Sequence, residues 1–153
     1  MAAAWGRAGL VVLAVVAVDQ AAKALVVDSL TRGERRDLAF GVDFVHVRNR
    51  GIAFGLFDGG GAALTIVTVA ALALLLVYFA THARRPLLWL ATGLLLGGAL
   101  GNLLDRARDG AVTDFIDLPL WPAFNVADMA ITAGVITLLL SLELAHEADE
   151  DGA

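Results

Sequence analysis

Five carboxylates crowd into one stretch of the chain, Gly98 to Asp128: Asp105, Asp109, Asp114, Asp117 and Asp128. Asp105 and Asp128 abut apolar runs of membrane-spanning length, where an ionisable group is expensive and usually has a task or a partner. Two carboxylates brought close cannot comfortably both ionise. One keeps a proton, and such a pair can act on water as base and acid together, attacking a peptide carbonyl without a covalent intermediate. Asp128 follows Asn125 by three positions on what reads as the first turn of a helix, and Asp114 lies on an intervening loop able to fold back towards it. Spacing leaves two readings of this pair open. One is catalytic; the other is a solvated loop acid beside a helix-capping acid.

Other chemistries are poorly supplied. The chain has no cysteine, which excludes disulfides, thiolate metal sites and a Cys nucleophile. Its two serines, Ser29 and Ser141, fall at opposite ends of apolar spans. The single lysine, Lys23, sits six positions before Ser29, about 240° around a helix, so the two do not face each other. His46, His82 and His146 are scattered and show no metal-ligand spacing. Asn102, Asp105 and Arg106 share one helical face and suggest a local brace, Asp–Arg or Asn-mediated. Asp19 and Lys23, four apart, read as an intrahelical ion pair or as groups that orient something at that end of the molecule. NRGIAFGLF, Asn49 to Phe57, is a Gly-punctuated, partly apolar segment suited to an interface.

The elements that must position these groups are membrane spans. Of 153 residues, 59% are hydrophobic and only 18% charged, and the apolar residues are blocked into runs. About 20 helical residues cross a ~30 Å hydrocarbon core. Spans are expected over 8–27, 62–80, 87–104 and 126–145, within a single membrane domain of residues 1–153. Interruption of the first run by Asp19, Gln20 and Lys23 argues for an uncleaved span over a signal peptide. Connections 28–61 and 105–125 are long and share one side; residues 81–86 form a short turn. Strand-like alternation marks Phe40–Val47 and Val112–Leu118, which predicts a small sheet on one face of the bundle. Pro122 and Asn125 announce the fourth helix. Gly93, Gly97 and Gly101 recur every fourth residue, a spacing that lets another helix approach closely. Much of the net charge of −5 lies in an acidic tail, 146–153, read as a solvated end, and no basic arm for nucleic acid is present. Arg84 and Arg85 suggest that the short turn is cytoplasmic, with Arg7 on the same side, whereas a raw Lys/Arg count would put the long connections inside. That count is discounted because several of their arginines have acids nearby.

Taken in order, DQAAK (Asp19–Lys23), NRGIAFGLF (Asn49–Phe57), GNLLDR (Gly101–Arg106), VTDFID (Val112–Asp117) and FNVAD (Phe124–Asp128) resemble the successive motifs of the lipoprotein signal peptidases, or signal peptidase II family. The resemblance covers roughly residues 10–145. It implies an all-α membrane protein of four transmembrane helices with a small extracytoplasmic β-sheet and a short amphipathic loop helix. It further implies a bacterial inner-membrane aspartyl endopeptidase with both termini cytoplasmic and its active site near the extracytoplasmic face. Such an enzyme cuts a prolipoprotein just before its diacylglyceryl-modified cysteine. By motif position, Asp114 and Asp128 match the catalytic pair, and Asp19, Lys23, Asn49, Gly51, Asn102, Arg106 and Asn125 match positions that bind substrate or support the site. The implied partners are the lipidated substrate and membrane lipid, with the cyclic peptide globomycin as inhibitor. No metal or other cofactor and no nucleic acid are expected, and a monomer is the expected state. The segment LPLWPA, residues 118–123, is shorter than in members with extra residues there, which bears on the rim of the site. The acidic tail matches nothing in the family.

Two readings from other classes compete. A transporter would set its acids near mid-span, often on repeated segments, whereas here they gather at one end and no repeat is evident. A non-catalytic scaffold would tolerate Asn at positions 114 and 128.

Overall fold

A computed structural model describes residues 1–39, 41–50 and 61–150. Four helices in it are long and apolar enough to cross a membrane: α1 (Ala2–Ser29), α2 (Gly61–His82), α3 (Leu88–Asp109) and α4 (Val126–Glu150). One four-stranded antiparallel sheet, in the order β1-β2-β3-β4, accompanies them. Its strands are β1 (Arg35–Ala39), β2 (Val42–Asn49), β3 (Val112–Leu118) and β4 (Trp121–Phe124). The protein is therefore mostly helical, as expected, and the second predicted strand falls on β3.

Several boundaries differ from expectation for physical reasons. α3 runs past the apolar span to Asp109, because nothing in LDRARD stops a helix. It ends where Gly110 adopts a left-handed backbone (φ 67°) and donates to the Arg106 carbonyl. Asp105 is thus a helical residue rather than the start of a loop. Asp114, on the connection between the third and fourth spans, lies in β3, within the strand expected over Val112–Leu118. The strand predicted from Phe40 begins at Val42 instead, after a turn at Gly41 (φ 78°). α4 starts at Val126 as predicted but continues into the acidic tail to Glu150. Gly51 and the expected amphipathic loop helix lie outside the described residues.

Between membrane helices the driving force is close packing and hydrogen bonding, since lipid tails are as apolar as leucine. The α3 glycines supply the closeness. A Cβ at Gly93 would fall 2.7 Å from Val11 Cβ, and one at Gly97 2.8 Å from Val15 Cβ, so this stripe receives a neighbouring helix as predicted, and that helix is α1. Gly98 turns the other way, where a Cβ would collide with the Ala127 carbonyl oxygen on α4. That oxygen is backbone and cannot rotate aside. Gly98→Ala is expected to part α3 from α4 and destabilise the protein by ~1–3 kcal/mol. The measurement is the thermal midpoint in detergent, with Gly9→Ala, which meets nothing within 4 Å, as the silent comparison.

The sheet is seated on the end of α1. Phe115 of β3 packs with Val26 and Leu30 and meets Phe44 of β2 edge to face, ring centroids 5.9 Å apart. His46 Nδ1 lies 2.9 Å from the Leu30 carbonyl oxygen. β3 leaves directly from the end of α3, and β4 leads directly into α4. The sheet therefore stands at the membrane end where α1 and α3 finish and α4 begins.

Candidate active site

α1 brings Asp19 and Lys23 to the junction as neighbours on one helical face. Their predicted ion pair is present at 2.8 Å, with both side chains nearly sealed from solvent. Lys23 does more than pair locally. Its Nζ also lies 2.9 Å from Asp105 Oδ2 and donates to Asn102 Oδ1 at 3.0 Å. An ammonium has three donors, and all are used. Asp19 Oδ1 accepts from the backbone N–H of Ala127 at 2.9 Å, which ties α1 to the first turn of α4. Gly101 leaves room for this: a Cβ there would sit 2.6 Å from Asp19 Oδ2.

Asp105 is a brace, but not with Arg106. It takes Lys23, the Gln20 amide at 2.9 Å and the backbone N–H of Thr113 at 3.1 Å. Side chains at adjacent helical positions point apart, so Arg106 turns elsewhere. Its Nη1 donates weakly to the Asn102 carbonyl at 3.5 Å, and its Nε is buried without a partner among the described residues. Gln20 was not singled out by sequence reasoning. It donates to Asp105, Asp19 and the Gly101 carbonyl, and accepts from Arg108. Only its place inside DQAAK signalled it.

Asn125 caps α4. Its Oδ1 accepts from the Asp128 N–H at 3.0 Å, and Asp128 Oδ2 accepts from the Asn125 N–H at 3.2 Å. This reciprocal arrangement is a capping box. The capping reading of Asp128 is therefore correct, yet it uses one carboxylate oxygen. The other, Oδ1, accepts from Asn102 Nδ2 at 2.8 Å. Asn102 in turn is held by Lys23 and, at 3.1 Å, by Asn125.

Asp114 reaches the same cluster from the sheet and is buried, with 2% of its surface exposed. Its register partner on β2 is Val47, and the pairing slips between Phe44 and Val47. Such a bulge re-aims neighbouring side chains, here beside the strand segment that carries Asp114. Asn125 Nδ2 donates to Asp114 Oδ1 at 2.7 Å, and Asn49 Nδ2 to Oδ2 at 2.9 Å. The solvated-acid reading of Asp114 is excluded by this burial. Asp114 and Asp128 are thus both hydrogen-bonded to Asn125.

Burial pushes the Asp114 carboxyl up from 3.8 to about 6. The Asn49 amide opposes the rise, the negative charge of Asp128 adds to it, and Asn125 and Lys23 pull back. A buried acid of this kind, facing a second carboxylate, is suited to proton transfer near neutral pH. Of the residues predicted for the site, the structure unites Asp19, Lys23, Asn49, Asn102, Asn125, Asp114 and Asp128 in one network. Arg106 borders it through Asn102.

Four membrane-length helices closed at one end by a small sheet, with buried carboxylates and amides at the junction, define a multi-pass membrane protein with an enzyme-like polar centre. The family profile described as Signal peptidase (SPase) II matches residues 11–144. The chain is 43% identical to the lipoprotein signal peptidase of Syntrophomonas wolfei, over 97% of this chain and 98% of that one. It is 39% identical to that of Halothermothrix orenii, over 87% and 92%. A solved bacterial membrane enzyme at 1.9 Å resolution superposes with a TM-score of 0.81 and 32% identity, over 90% of this chain and 92% of that one. The chain belongs to the signal peptidase II family and is a membrane peptidase.

Proposed function

We propose that this protein is an aspartyl endopeptidase that removes the signal peptide from diacylglyceryl-modified prolipoproteins, cutting on the N-terminal side of the lipidated cysteine. The observation that carries this reading is that buried Asp114 and partly buried Asp128 are both hydrogen-bonded to Asn125. Asp114 carries the shared proton, in keeping with its raised pKa. Asp128 takes a proton from water, the water oxygen attacks the scissile carbonyl, and Asp114 donates to the carbonyl oxygen. A proton then reaches the leaving amine as the tetrahedral intermediate collapses. Asn49, Asn102 and Asn125 fix the two carboxyls, and the Asp19–Lys23–Asp105 network holds the elements that bear them.

On this reading the enzyme sits in the bacterial inner membrane with both termini cytoplasmic, so the sheet and the acids face outward. It works as a monomer, and globomycin inhibits it. The bilayer confines substrate and enzyme to two dimensions, and lipid-facing helices offer apolar surface to the acyl chains. The test is cleavage by the purified full-length protein of matched peptides with and without the diacylglyceryl group. Cleavage of the lipidated peptide alone, before its cysteine, is the expected result. Equal cleavage of both peptides, or of neither, would remove the assignment.

A further inference from the structure

The β3–β4 turn is an apolar beak that no other part of the described protein covers. Leu120 at its tip is fully exposed, at 105% of its reference surface, and the next residue, Trp121, is 65% exposed. Leu120 also has a positive φ of 65°, a backbone state in which glycine or asparagine would be easier. A leucine in this strained, exposed place is costly in water. Pro119 and Pro122 flank the pair and stiffen it.

The position of the beak says what it meets. Phe115 fixes β3 over the end of α1 through Val26 and Leu30. Leu120 lies five residues further along the hairpin, on the order of 15 Å at strand rise. β3 starts beside the end of α3 and by Phe115 and Ile116 has reached Ala22, Val26 and Leu30 at the end of α1. It therefore crosses from α3 towards α1, and a helix radius of only about 5–6 Å leaves the turn beyond α1. The other hairpin turn points the same way, since a Cβ at Gly41 would come 3.3 Å from Pro119. Beside α1 at this end lies its own lipid-facing flank, where Leu25 is 66% and Val27 52% exposed. The apolar tip and this flank lie at the same end of α1. Tryptophan is enriched at that depth of a bilayer because one ring satisfies both phases.

We infer that the Leu120–Trp121 tip inserts into the interfacial layer of the same bilayer that the helices cross, making the sheet a second point of membrane attachment. Arg35, in the depression behind the tip, is engaged by both Asp43 and Asp117. One guanidinium between two carboxylates leaves no free positive charge there to recruit an acidic headgroup, so insertion is apolar and needs no anionic lipid.

The chain has no cysteine, so a single spin label can be attached at Leu120→Cys in the full protein. Being fully exposed, this site makes little demand on folding. Asp109→Cys, at the exposed end of α3, serves as the aqueous reference. In phosphatidylcholine liposomes, collision with oxygen relative to a water-soluble nickel chelate is expected to be several-fold higher at position 120 than at 109. The same ratio at both positions overturns the proposal, and so does exclusion of both reagents from position 120, which would mean that protein covers the tip. Trp121 emission in Trp5→Phe/Trp89→Phe protein gives a second measurement. Quenching by brominated phosphatidylcholine, with protection from iodide, is expected. Quenching by iodide alone overturns the proposal.

Discussion

Asp114→Asn and Asp128→Asn are each expected to lower cleavage of a diacylglyceryl peptide at least about a thousandfold, while the protein still accumulates in the membrane. An amide neither takes a proton from water nor yields one to a carbonyl. The fold should survive both changes. Asn at 128 keeps an oxygen for the capping box. At 114 two effects oppose. The carboxyl has a folded value of about 6 against 3.8, so its favourable contribution is complete below pH 3.8 and is lost as pH rises through about 6. At pH 7 the wild-type group is therefore a cost, which Asn removes. Against this, one of the two hydrogen bonds accepted from Asn49 and Asn125 is lost, because an amide nitrogen does not accept, at a cost of about 1–3 kcal/mol. The net change in stability is small. The same pKa makes a pH profile part of this test. If the working state holds one proton, kcat/KM of the wild type declines above about pH 6 as Asp114 ionises. Full activity in either Asn variant would exclude the pair.

Lys23→Met is expected to cost ~3–5 kcal/mol, the usual result of leaving buried charges without their partner. Here two carboxylates are orphaned, Asp19 and Asp105, and Asn102 loses a donor. The damage extends past α1, because Asp19 holds the first turn of α4 and Asp105 holds the start of β3. Lys23→Arg is not expected to rescue the protein. A planar guanidinium does not reproduce three donors from one compact point. The measurement is unfolding in mixed micelles, followed by helicity, alongside cleavage activity. Wild-type stability in Lys23→Met would mean that the network is not a source of cohesion.

The spans were legible because lipid demands long uncharged runs, and β3 was legible because VTDFIDL alternates. β1 and β4 were not. RRDLA is a polar edge strand with little alternation, and WPAF contains Pro122, which is tolerated only where a strand N–H has no ladder partner. Within the site, local spacing revealed Asp19–Lys23 and the Asn125–Asp128 cap, because helical geometry alone brings those pairs together. It misassigned Asp105, whose partners Lys23 and Gln20 come from another helix. No periodicity encodes a contact of that kind. The roles given to Asn49, Asn102 and Arg106 came from family resemblance. The geometry now supplies a physical reason for the first two, which hold the carboxyls of Asp114 and Asp128 directly.

Asp128 closes the capping box of α4 with one oxygen and faces Asn102 with the other. On the proposed chemistry, the base of the reaction is also the clasp of its own helix. Loosening that first turn through heat, harsh detergent or a poor solvent disarms the enzyme before the bundle comes apart, so loss of turnover is the earlier alarm and loss of helicity the later one.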